Sequence, residues 1–258
     1  MCTVTIIPIG ADAGYRLVTN RDEQRSRPVG LPPSAQVRHG RRWLWPKDGL
    51  AGGSWIGASD SGLTLCILNL NPTPRPALPP REALTSRGLL IPGLARCRDA
   101  EEAMALLAER RLDAFAPFRL VAIDLSSIAV ARWDRTRLVA ERSALRPMCL
   151  TSSGLGDDLV GERLELFEER LRAEGPTRRM QDAFHAHVWP DRPHLSVWMS
   201  RPDARTVSRT EVEVIGPEPA RVEMRYAADD LTAVERLPGR DGADVHVRSH
   251  SPAALGTA

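Results

Sequence analysis

The chain opens with a cysteine at position 2, followed at once by a strand, a turn and a second strand, and this hairpin limits where everything else can go. Thr3 to Ile9 mixes β-branched and apolar residues, and Tyr15 to Thr19 reads the same way. Between them Gly10-Ala-Asp-Ala-Gly14 carries glycine at both ends, the chemistry of a turn. A hairpin centred on Asp12 pairs Ile9 with Tyr15 and, further out, Cys2 with Asp22, unless a bulge moves the register by one residue. Asn20-Arg-Asp-Glu23 then lies beside the terminal thiol.

Downstream, residues 24–40 are rich in Arg, Pro and Ser and read as a long loop. Gly52-Gly-Ser-Trp-Ile-Gly57 leads into the β-like run Leu63 to Leu70, a second hairpin with Asn69 near its far end. The prolines of 72–80 make a stiff loop, and Glu82 to Arg96 is a helical pattern interrupted by Pro92-Gly93. Asp99 is placed to cap a helix, and Arg119 to Glu141 reads as a three-stranded meander. After a short strand at Met148 to Ser153 come two helices, Asp158 to Glu174 and Arg178 to His187. Leu195 to Met199, Thr206 to Val214 and Arg221 to Tyr226 read as strands. Beyond about Asp229 the composition loosens, so the domain is set at 1–228 and a flexible tail at 229–258. Strands and helices alternate in blocks rather than as βαβ units, which argues for an α+β domain, mostly antiparallel.

Composition excludes several classes. Of the 258 residues 42% are hydrophobic, enough for a packed core. Net charge is +2 and basic residues are interspersed with acids, so nucleic-acid binding has little support. No run approaches the roughly eighteen apolar residues of a membrane helix, and no signal peptide is visible, which points to the cytoplasm and to no membrane span. Cys2, Cys66, Cys97 and Cys149 lie far apart, which is neither a zinc pattern nor a disulfide framework; the last three read as inert core thiols. No metal site is expected.

Met1-Cys2, Asn20-Arg-Asp-Glu23 and Gly52-Gly-Ser-Trp-Ile-Gly57 together resemble the NRDE-domain family, which includes transport and Golgi organisation protein 2. Echoes are Pro46-Lys-Asp, Ser86-Arg-Gly88, Ser196-Val-Trp-Met199 and Ala204-Arg-Thr-Val-Ser208, so the resemblance covers roughly residues 1 to 226. It implies the layout of N-terminal-nucleophile hydrolases, a four-layer αββα sandwich of two antiparallel sheets flanked by helices. The cysteine branch of that group, with choloylglycine hydrolases and penicillin V acylases, cleaves non-peptide amides through a cysteine exposed as the first residue after processing. Removal of Met1 would suffice here.

A cysteine so exposed carries a thiol of reference pKa about 8.5 and an α-amine of about 7.7 to 8.0, so the amine can accept the thiol proton. Asp22 would orient the ammonium, and Arg21 would favour the thiolate. Alternation sets Arg21 and Asp22 on opposite faces, and of the two Asp22 is retained. Asn69, a polar residue in an apolar strand, is the candidate oxyanion donor, with Asn71 the alternative on the same face. Asn20, Arg21 and Trp55 are candidates for substrate binding, although Trp43, Trp45 and Trp55 also suit packing. By resemblance Arg205 matches a late arginine of the hydrolases. Two positions depart from their pattern: Thr19 stands for an arginine, and Ser152 for a second asparagine.

Two functions compete. One is a cysteine amidohydrolase acting on a small amide or acyl substrate without a cofactor. The other is a non-catalytic binding or trafficking protein, for which the family implies haem or lipid-related cargo. A purely structural role is a third reading. His185 and His187, two residues apart, are poorly spaced for joint ligation from one helix face and read as surface or packing residues.

Overall fold

The computed structural model describes residues 2–10 and 14–239. Strands β1 (Cys2–Ile9), β2 (Gly14–Gln24), β10 (Met148–Thr151), β11 (Ala204–Ile215), β12 (Arg221–Ala228) and β13 (Leu231–Leu237) form one sheet in the order β10-β1-β2-β11-β12-β13. The other runs in sequence order: β3 (Leu31–Arg38), β4 (Arg41–Lys47), β5 (Ile56–Ser59), β6 (Thr64–Asn69), β7 (Phe118–Ile123), β8 (Ser127–Trp133) and β9 (Leu138–Ala144). Every pairing in both sheets is antiparallel. Helices α1 (Leu90–Gly93) and α2 (Ala100–Ala108) contribute Leu90, Ile91, Ala103 and Leu107 to the main core. Helices α3 (Gly161–Glu174) and α4 (Arg178–His185) pack Phe167, Met180 and Phe184 against Ile7 of β1 in a second cluster. The architecture is the αββα sandwich. None of the described helices is long and apolar enough to cross a membrane.

The sheets are tied together through their inner faces. Val4 and Ile6 of β1 and Leu17 of β2 enter the shared core at every second residue, as pleating requires. Tyr15 of β2 reaches across and donates to the Gly62 carbonyl at 2.9 Å and to Thr64 Oγ1 at 2.6 Å. Trp55 Nε1 donates to Thr210 at 3.3 Å, and the Tyr226 hydroxyl to the Gly30 carbonyl at 3.2 Å. These polar handles on aromatic rings fix how one sheet lies over the other.

The hairpin expected at the N-terminus forms, with its register one residue from the expected pairing. Ile9 faces Gly14, Pro8 faces Tyr15, and Cys2 faces Arg21 rather than Asp22. Gly14 is therefore a strand residue and not part of the turn. Its φ of +150° suits glycine, and a Cβ there would sit 1.9 Å from the Val214 carbonyl oxygen of β11.

Three other expectations are corrected. Residues 24–40 hold strand β3 as well as a loop. It is a sheet edge, and Pro32 and Pro33 fall within the register shift between Leu31 and Ser34, where the ladder needs no N–H. Leu195 to Met199 is no strand: Ser196 Oγ accepts from the Trp189 amide at 2.8 Å, and such local bonds favour turns. Strand β13 lies beyond the expected end of the domain at 228, pairing with β12 as an edge whose half-buried, charged sequence lacks clean alternation. The remainder of the expected tail, 240–258, lies outside the described residues.

Asp124, in the β7–β8 turn, caps two elements at once. It accepts from the Ala100 amide at the start of α2 at 3.1 Å, and from the Ser126 and Ser127 amides at 2.8 and 2.7 Å. Burial opposes ionisation, but these donors prevail and hold its carboxyl below the usual carboxylate range. Its stabilising contribution is therefore complete above the unfolded-state pKa of about 3.9 and is lost as pH falls through the lower folded-state value. Asp124→Asn is expected to cost about 1–3 kcal/mol in urea unfolding at pH 7, with the gap to wild type closing below about pH 4.

Candidate active site

Cys2 lines a cavity of about 400 Å³. Only 6% of its surface is exposed. Its side chain belongs to the inner face with Val4 and Ile6. The residue is clamped on its backbone by Ser152, just after β10: the Ser152 amide donates to the Cys2 carbonyl at 2.9 Å, and the Cys2 nitrogen donates to Ser152 Oγ at 3.1 Å. The serine that stands for the expected asparagine thus reaches the nitrogen of the candidate nucleophile. Burial pushes the Cys2 thiol up, the negative charges of Asp22 and Glu23 add to the rise, and Arg21 opposes it.

Because Cys2 pairs with Arg21, these two side chains share the cavity face of the sheet. The Arg21 guanidinium lies 4.7 Å over the Trp55 ring and bonds Asp48 at 3.0 Å. Glu23, one strand period on, lies 3.4 Å from Arg21 and 3.5 Å from Arg27, and Arg27 bonds Asp48 at 2.9 Å. Two arginines and two carboxylates therefore close a square on the cavity wall. Burial resists charge on Asp48, but the Ala51 amide and the arginines outweigh it and hold its carboxyl low.

Two glycines bring the opposite wall to this square. The Asp48 amide donates to the Gly53 carbonyl at 2.8 Å, and the Ser54 amide to the Gly88 carbonyl at 3.0 Å. A Cβ on Gly53 would lie 2.4 Å from the Gly88 carbonyl carbon, so no side chain fits at that crossing. The motifs around Asp48, Gly53 and Gly88, scattered in sequence, are one packed junction that sets Trp55 and Arg87 on the cavity.

Asn20 and Asp22 point the other way, toward the helices. Asn20 Nδ2 donates to the His185 and Val197 carbonyls at 2.8 and 3.0 Å, and its Oδ1 lies 3.1 Å from His185 Nδ1. Asn20 is thus a buried brace and does not line the cavity, contrary to its expected place in substrate binding. Asp22 accepts from Thr206 Oγ1 at 2.6 Å and lies 3.7 Å from Arg163 of α3, with both side chains buried. Burial raises the Asp22 carboxyl, opposed by Arg163 and Thr206. Asp22 also borders the cavity beside Cys2.

Asn69 lines the cavity from the end of β6, and no hydrogen bond engages its side chain among the described residues. Asn71, the alternative, instead bonds Asp157 at 3.2 and 3.3 Å. Arg205 lies away from the cavity, paired with Asp229 at 2.7 Å, so the late arginine expected for substrate binding is elsewhere. His185 is wholly buried, bonded to Thr5 at 2.7 Å, and burial depresses its pKa well below the ordinary imidazole value. Neither it nor His187 lines the cavity.

The family model described as Transport and Golgi organisation 2 matches residues 1–173. The chain belongs to that family. No curated protein matches the sequence at a significant level. Among solved structures, the fold is similar to the Caenorhabditis elegans ortholog of N-acylethanolamine-hydrolyzing acid amidase, at 13% identity and a TM-score of 0.54, over 82% of this chain and 92% of that one. It is similar also to a variant of conjugated bile acid hydrolase from Clostridium perfringens, at 10% identity and a TM-score of 0.56, over 99% and 100% of the two chains. A second variant of that hydrolase aligns at 9% identity and a TM-score of 0.53. At such identities the likeness carries the fold, which is that of N-terminal-nucleophile hydrolases.

Residues that the sequence did not single out hold this family member's site together. Arg163 is the foremost: it donates to Thr3 at 2.8 Å and Thr151 at 3.2 Å beneath Cys2, besides facing Asp22. Its only signal was a charged residue on the inner stripe of an amphipathic helix. Arg163→Met would remove the cation facing the buried Asp22 carboxylate together with the bonds to Thr3 and Thr151, and is expected to cost about 3–5 kcal/mol by urea denaturation. Asp22→Asn added to it should recover part of that loss.

Proposed function

We propose that this protein is an N-terminal cysteine hydrolase that cleaves an amide or acyl bond of a small substrate. The observation that carries the reading is Cys2 at a cavity shared with the unengaged Asn69 amide, its own nitrogen held by Ser152.

Removal of Met1 would turn the Cys2 nitrogen into a free α-amine. That amine takes the thiol proton, which a buried thiol of raised pKa does not surrender to water at neutral pH. The thiolate sulfur attacks the acyl carbon, and the carbonyl oxygen becomes an anion within reach of an Asn69 N–H donor. Collapse expels the amine half of the substrate with the proton held by the ammonium. Water, deprotonated by the same amine, then attacks the thioester, releases the acid and restores the thiol. Ser152 Oγ, bonded to this nitrogen, keeps it beside the sulfur through the cycle. Asp22 supplies negative charge near the ammonium, and Arg163 beneath it keeps that charge in place.

The test is turnover of a panel of N-acyl amides together with intact-protein mass spectrometry. The expected result is loss of Met1, a Cys2-linked acyl intermediate, and no turnover by Cys2→Ala. Asn69→Ala is expected to retain the fold and lose roughly 10²- to 10³-fold in kcat. Retained Met1, or turnover indifferent to Cys2, would sink the proposal.

A further inference from the structure

The charges around the cavity do not all find partners. Arg21 and Arg27 are matched by Glu23 and Asp48, and Asp22 by Arg163 below the sheet. Arg87 is left over. Its Nη1 donates to the Pro117 carbonyl at 2.9 Å, and among the described residues no carboxylate lies within ion-pair distance of it. Among the described residues nothing hydrogen-bonds the Nε and Nη2 edge, and neither atom is sealed from solvent. That edge is one of the two faces on which a guanidinium takes a carboxylate with two parallel bonds. A half-buried cation with no carboxylate in contact is unfavourable: burial lowers the Arg87 pKa, and the more distant charges of Cys2 and Glu23 only partly oppose it. Nor is its place accidental, because Gly88, the next residue, is locked against Gly53 and Ser54. Arg81, exposed at the rim, adds a second cation with no ion pair among the described residues. Leu50, Trp55, Ile67 and Leu84 give the same cavity an apolar side.

We propose that Arg87 is the subsite for an anionic end of the ligand. The substrate class is then an acyl amide bearing a free carboxylate, its apolar part against Leu50, Trp55 and Leu84. This rests on the hydrolase reading for the bond cleaved, but not for the binding of the anion.

The experiment is isothermal calorimetry on the Cys2→Ala protein, which cannot turn over, with two probes differing only at one end: N-octanoylglycine and N-octanoylethanolamine. The glycine conjugate is expected to bind roughly tenfold or more tightly than its neutral counterpart. Arg87→Gln should bring the two within about twofold, while Arg87→Lys keeps part of the preference. Circular dichroism and thermal midpoints verify that each variant is folded, and the lysine variant with a salt series serves if the glutamine one is not. Equal affinities, a preference that survives the loss of Arg87, or no binding of the glycine conjugate would each overturn the subsite. Anion preference in Cys2→Ala alongside a wild type without turnover would count against the hydrolase alone and leave the subsite standing.

Discussion

The two-residue period of the central strands is the constraint from which the site follows. In β2 the alternation sends Arg21 and Glu23 to the cavity and Asn20 and Asp22 to the helices. In β1 it sends Cys2 to the cavity, and Thr3 and Thr5 to Arg163 and His185. A shift of one residue in the pairing would exchange these sets, putting the ionised square into the helix layer. The register is held where Gly14 meets β11 too closely for any side chain, and where Tyr15 crosses to the other sheet. Geometry at Cys2 is thus decided at the far end of the hairpin.

The four short segments that stood out in sequence are the parts of two junctions. On the cavity side, Asp48 gathers Arg21, Arg27 and the Leu50 and Ala51 amides, while the Gly53–Gly88 crossing pulls Arg87 into range. On the helix side, Thr206 bonds Asp22 and also the Met199 amide at 2.9 Å, joining two late segments to the strand that carries Asn20. Most of these polar groups are buried and most are paired, as burial demands. Among the described residues, the Asn69 amide and the Nε–Nη2 edge of Arg87 are exceptions that open on the cavity, and unengaged donors at a cavity wall are what a ligand would meet.

Much of the fold was legible. The opening hairpin, the meander from Phe118, the Asp99 cap, whose side chain accepts from the Glu102 amide, and the helices after Asp157 all follow local patterns of period two or 3.6. Strands β3 and β13 were not, because edge strands hide their pattern: one carries two prolines and the other mixes charge with apolar residues. At the site, Cys2 and Asn69 stand out in sequence as odd residue types in their surroundings, while the sequence favours Asp22 over Arg21 and the register instead sets Arg21 across from Cys2. Arg163 was not legible, since it is one arginine among many, and Arg87 stood out only as part of Ser86-Arg-Gly88, its meaning lying in what it faces. Ser152 was read as a loss; the register beside Thr151 makes it the contact to the Cys2 nitrogen.

Sequence alone determined that strands would dominate, that the chain would start with a hairpin bearing a thiol at its end, and that glycines and a short acidic-basic motif would matter. Those properties are local, written in side-chain periodicity and backbone freedom. Tertiary structure alone decided which charge sits with which: Arg21 rather than Asp22 across from Cys2, Arg163 under Asp22, Arg205 outside, and Arg87 with no carboxylate beside it among the described residues. Pairing of charges depends on distance and burial between segments more than a hundred residues apart, as with Asp22 and Arg163, and no local pattern encodes either.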